Sequence, residues 1–136
     1  MTSRKRKKLH QRFMVAVSFG SPKQVAALLR SGADPNQPDR SGTTPLYLAS
    51  VQGAAGTVRV LLASGARPNA ESGAGDEGLP LCGAAVWGHD DCVRELLAAG
   101  ADPDLREDDG QGRTASEWAA RGGHRSTLAL LQAMEQ

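Results

Sequence analysis

Apolar residues in this chain recur as short amphipathic stretches, broken at regular intervals by polar, glycine-marked segments. The trio Val25, Leu28, Leu29 returns as Val58, Leu61, Leu62 and again as Val93, Leu96, Leu97. Positions three and four apart share one face of a helix. Leu128 and Leu131 continue the first two columns, and the third ends in the polar Gln132. Ahead of three of these stretches lies a second apolar segment, Leu46 to Ala49, Leu81 to Ala84 and Ala115 to Ala119. The pattern predicts pairs of short helices repeated along the chain, with no alternating period of a β-strand.

Landmarks between the helices keep the same phase. Gly32-Ala33-Asp34-Pro35-Asn36 returns as Gly65-Ala66-Arg67-Pro68-Asn69 and as Gly100-Ala101-Asp102-Pro103-Asp104, and Gly20, Gly53, Gly88 and Gly123 form a second series. Ser21-Pro22 and Thr44-Pro45 place a hydroxyl N-cap before proline at the first helical position. Gly32, Gly65 and Gly100 stand where a left-handed C-cap ends the second helix of a pair. A third column, Leu29, Leu62, Leu97 and Gln132, turns polar only in the last unit, as a terminal repeat requires. Phe13 falls in the column of Leu46 and Leu81, so a helical segment around Leu9–Ser18 is expected to cap the other end.

The period and the run Thr44-Pro45-Leu46-Tyr47-Leu48-Ala49 resemble the ankyrin-repeat pattern T-P-L-H-x-A. Leu79-Pro80-Leu81-Cys82-Gly83-Ala84 and Thr114-Ala115-Ser116-Glu117-Trp118-Ala119 occupy the same frame. The motif histidine is Tyr47, Cys82 and Glu117 here, and Gln11 through Ala16 lack the signature. The resemblance implies an all-α solenoid over residues 9–136, with units near 9–36, 37–69, 70–104 and 105–136 and a basic tail at 1–8. The chain is similar to compact ankyrin proteins of bacteria, which implies a cytoplasmic adaptor, inhibitor or immunity-type role.

Composition narrows the alternatives. The chain is 136 residues long, 40% hydrophobic and 23% charged, a globular balance. No apolar run is long enough to span a membrane, and the basic N-terminus lacks the apolar core of a signal peptide. Two cysteines make no disulfide framework and fit a reducing cytoplasm. Arg4, Lys5, Arg6, Lys7, Lys8 and Arg12 give residues 1–12 six positive charges and no acid. The remainder carries ten positive charges against fifteen acids, a net of −5. The stretch Arg4 to Lys8 admits an electrostatic contact with nucleic acid, or plain solvation of a frayed terminus.

Candidate chemistry is sparse. His10, His89 and His124 are too scattered for a nucleophile–base set. Cys82, His89 and Cys92 lack both a fourth ligand and the paired spacing of a zinc site. Between Asp102 and Gly110 the acids cluster, but Arg106 stands where a calcium loop needs an oxygen ligand. The glycine-rich segment from Ala70 to Gly78 has no Lys-Ser/Thr helix to make a phosphate loop. The sequence therefore reads as a non-enzymatic monomer without metal or cofactor.

A binding surface is the sharper expectation. Residues before the landmark glycines should line the groove of a solenoid: Phe19, Val51, Gln52, Val86, Trp87 and Arg121. Trp87 and Phe19 are its expected anchors, because bulky aromatics dominate interface energetics. Loop tips give the rest: Arg40, Ser41 and Thr43, then Asp76 and Glu77, then Gln111 and Arg113. The loops of the third and fourth units are two residues longer than that of the second, and such insertions often mark a binding face. Trp118 is expected to pack within the last unit.

Overall fold

The computed structural model describes residues 1–134, so the expected end of the fourth unit at 136 lies outside them. Eight helices follow in order: α1 (Ser3–Phe19), α2 (Pro22–Arg30), α3 (Pro45–Gln52), α4 (Ala55–Ala63), α5 (Pro80–Val86), α6 (Asp90–Ala98), α7 (Ala115–Gly122) and α8 (Arg125–Met134). They pair as antiparallel hairpins. The first members stack in the order α1, α3, α5, α7, and the second in the order α2, α4, α6, α8. Among the described residues the one extended pairing is an isolated bridge between Ser72 and Gly78.

The repeated columns form the core. Val25, Val58 and Val93 are fully buried, as are Leu61, Leu96 and Leu131, while Leu28 and Leu128 at the two ends are half-buried. Each full burial contributes about 1.5–3 kcal/mol. Phe13 is fully buried in the Leu46 and Leu81 column, as its phase required. The caps also follow the sequence. Ser21 and Gln24 form a reciprocal capping box on α2, and Thr114 and Glu117 form one on α7. Gly32, Gly65 and Gly100 adopt φ of 108°, 98° and 95°, which a side chain would oppose.

One element departs from expectation. The basic stretch is not a tail: α1 runs unbroken from Ser3, with the Thr2 hydroxyl accepting from the Lys5 amide at 3.2 Å. Cations at the positive end of a helix dipole are unfavourable. The helix persists because Leu9, Phe13, Met14 and Val17 bury one continuous face of it.

Three polar ladders tie the units together. Asn36 donates its amide to the Gly65 carbonyl at 2.9 Å and accepts from the Arg67 N–H at 2.9 Å. Asn69 repeats both bonds with Gly100 and Asp102. His89 donates Nε2–H to the Val51 carbonyl at 3.1 Å, and His124 does the same to Val86 at 2.9 Å. The Thr44 amide donates to the Ser72 hydroxyl, and the matching Leu79 amide donates to the Glu107 carboxylate at 3.0 Å. Each ladder satisfies backbone groups that a buried helix end would otherwise leave unpaired.

Candidate functional site

Helix ends and hairpin tips carry the candidate surface. At the C-terminal ends of α1 and α5, Phe19 is 87% exposed and Trp87 62% exposed. Such large apolar side chains contribute little to folding when left in water. Gln52 and Arg121 are exposed in the same columns, while Val51 and Val86 are half-buried with their carbonyls held by the histidine ladder. Phe19 borders a 710 Å³ hollow walled by α1 and α2, where Val15 and Leu28 are its apolar neighbours. That hollow does not extend to Trp87, so the two anchors stand apart rather than in one cavity.

The hairpins differ in how they close. In the second unit the Asp39 carboxylate accepts the Ser41 and Thr43 amides at 2.8 and 3.0 Å, leaving Arg40 and Ser41 exposed at the tip. Thr43 itself is a correction: it is buried, and its hydroxyl donates to Glu77 at 2.8 Å. Glu77 is likewise turned inward. Its carboxylate also accepts from the Ser72 hydroxyl at 2.8 Å, so this pair joins two units instead of rimming a groove. The longer loop between Ser72 and Gly78 has room to fold Glu77 back in this way. Asp76 remains exposed beside it.

In the fourth unit Gln111 is exposed, and the exposed Arg113 lays its guanidinium over the Trp118 ring at 5.0 Å. Trp118 is half-buried, as expected, and donates to Glu107 at 2.7 Å. Glu107 thereby serves Leu79 from the unit before and Trp118 from its own. Sequence reasoning missed Glu107, although its phase with Asp39 and Ser72 marks it as a hairpin-closing position.

The groups considered for chemistry have structural partners. Cys82 is buried and its thiol points to the Arg113 carbonyl at 3.8 Å. Burial, reinforced by the Glu107 carboxylate, pushes that thiol far above its ordinary value. Burial pushes Cys92 up to about 11. Burial, with the Glu77 and Glu107 carboxylates, also raises the Tyr47 phenol. Its ring fits because Gly83 lies opposite: a Cβ there would approach the ring at 3.1 Å and Val51 at 2.7 Å. These groups are held neutral, the opposite of an activated nucleophile.

Stacked two-helix units, hairpins on one edge and glycine-ended second helices define a helical repeat protein of the ankyrin type. A family model described as "Ankyrin repeats (3 copies)" matches residues 13–107. That is 95 of 136 residues, and the chain belongs to the ankyrin-repeat family. It is 44% identical over 50 residues to human "Neurogenic locus notch homolog protein 4", covering 37% of this chain and 2% of that protein. It is 43% identical over 61 residues to the Arabidopsis thaliana "ADP-ribosylation factor GTPase-activating protein AGD2", covering 45% of this chain and 8% of that one. The chain thus spans a small part of either relative. Ankyrin repeats are in general protein–protein interaction modules and in general not enzymes. No helix among the described residues is long and apolar enough to cross a membrane.

Proposed function

We propose that this chain is a non-catalytic cytoplasmic module that binds a partner protein through the inner-helix ends and hairpin tips. Its role is that of an adaptor, inhibitor or immunity-type protein, acting as a monomer. The observation that carries this reading is Trp87, whose indole is 62% exposed at the end of α5. Removal of such an anchor typically costs an interface about 2 kcal/mol or more. Gln52 and Arg121 near the inner-helix ends, and Arg40, Ser41, Asp76, Gln111 and Arg113 at the hairpin tips, are exposed polar positions available to the same partner. An apolar centre with a polar rim is the usual anatomy of a protein interface.

Affinity purification from the native host, with mass spectrometry, identifies the partner. Trp87→Ala and Phe19→Ala should then weaken the purified complex by tenfold or more, with helical content unchanged. Full retention of the partner by both variants would place the interface elsewhere.

A further inference from the structure

Residues 1–33 hold eight of the sixteen lysines and arginines and not one of the fifteen acids, the first of which is Asp34. The six cations of α1 are exposed, and none joins an ion pair among the described residues. Beside them runs a 640 Å³ groove between α1 and the hairpin of the second unit. One wall is a single helical stripe: Ser3, Arg6, Lys7, His10, Met14 and Val15. The other wall is the segment from Gln37 to Ser41, with Arg40 at its tip.

The groove is pre-formed and polarised. His10 donates Nε2–H to the Pro38 carbonyl at 3.0 Å, which pins the two walls together. Its Nδ1 is buried with no partner among the described residues. Three cations, Arg6, Lys7 and Arg40, face a single acid, Asp39, whose carboxylate already accepts two backbone amides. At the opposite end the 60% exposed Val15 offers apolar surface, beside the largely buried Met14 on the groove floor. From Ser3 to Val15 the helix rises about 18 Å, the reach of about five extended residues.

We propose that this groove docks an acidic peptide segment of the partner in extended form. Its carboxylates lie against Arg6, Lys7 and Arg40, and one apolar side chain rests on Met14 and Val15. The inference deepens the protein-binding reading above by naming the partner's chemistry, and it rests on that reading. Nucleic acid is disfavoured because no exposed aromatic lines the groove for base stacking. A flat lipid surface does not enter a cleft between two walls.

Fluorescence anisotropy of the full chain tests this with a labelled hexapeptide of one leucine and five glutamates. A lysine counterpart, an oligothymidylate and phosphatidylserine vesicles serve as competing probes. The acidic peptide should bind in preference to all three. The pair Arg6→Glu with Lys7→Glu, and separately Arg40→Glu, should each weaken it by about tenfold or more. Milder Arg6→Gln with Lys7→Gln should weaken it less, in a chain whose circular dichroism is unchanged. Lys23→Glu with Arg30→Glu, the same charge change on α2, should alter it by less than twofold.

The inference is overturned if the peptide does not bind, if the α2 pair weakens it as much as the α1 pair, or if oligothymidylate or vesicles bind through Arg6 and Lys7 more tightly. A partner that still needs Trp87 while the peptide fails sinks this inference alone. Loss of both sinks the protein-binding reading with it.

Discussion

The Trp118 indole N–H donates to the Glu107 carboxylate at 2.7 Å, and the other oxygen of that carboxylate accepts the Leu79 amide from the preceding unit. One buried side chain therefore satisfies an indole and a helix N-terminus at once. Glu107→Ala should cost about 3 kcal/mol, because the buried Leu79 amide and the half-buried Trp118 indole are both left unpaired. Glu107→Gln keeps one carbonyl oxygen and should cost about half of that. Urea unfolding measures both. In a Trp87→Phe background the Trp118 emission should shift to the red in the alanine variant. An unchanged midpoint for Glu107→Ala would show that the carboxylate does not stitch these units.

Gly78 is bound to the same carboxylate by sterics. Its φ is 149°, and a Cβ there would sit 1.8 Å from Glu107 Oε2. Gly78→Ala should destabilise by about 3 kcal/mol or more, from strain and clash together. Adding Glu107→Ala removes the clash but not the strain, so the double variant should be more stable than the sum of the two losses predicts. Strict additivity in the cycle would refute the contact.

Asp90 is one of the carboxyls that make stability depend on acid. Burial opposes its ionisation, but the Ser126 and Thr127 hydroxyls donate to its carboxylate and hold its pKa below 3.8. A carboxyl depressed in the folded state stabilises above its unfolded value and loses that contribution as pH falls through the folded one. Thermal midpoints should therefore fall as pH drops below about 4, and less steeply in Asp90→Asn. Parallel curves for the two proteins would assign the acid sensitivity to other carboxyls.

Cys82 and Cys92 are both buried with raised thiol pKa values. Alkylation by iodoacetamide at neutral pH should proceed through unfolded chain only, hundreds-fold slower in buffer than in denaturing urea. Rapid modification of the native protein would mean that the third unit opens locally.

The phase of the repeats was readable because it rests on apolar columns and glycines, which act within one unit. Trp118 was readable for the same reason, since its column points inward. Thr43 and Glu77 were not, because their direction is decided across units: a loop lengthened by two residues lets one carboxylate reach two hydroxyls. The helix around Leu9–Ser18 was legible from Phe13, but its extension back to Ser3 was not, because Arg4 to Lys8 carry no apolar column of their own and continue a helix held by Leu9, Phe13, Met14 and Val17. The histidine ladder was not anticipated, although His89 and His124 each follow a landmark glycine and stand 35 residues apart.

The ladder bonds from Thr44 and Leu79 each wait for a residue 28 positions later in the chain. During synthesis from the N-terminus, a newly emerged inner helix thus keeps an open amide at its start until the next hairpin leaves the ribosome. The third and fourth hairpins each close the start of the helix before them. If the chain folds as it is made, a translational pause just after a hairpin should protect the growing end, whereas a pause just before one should leave the Thr44 or Leu79 amide open.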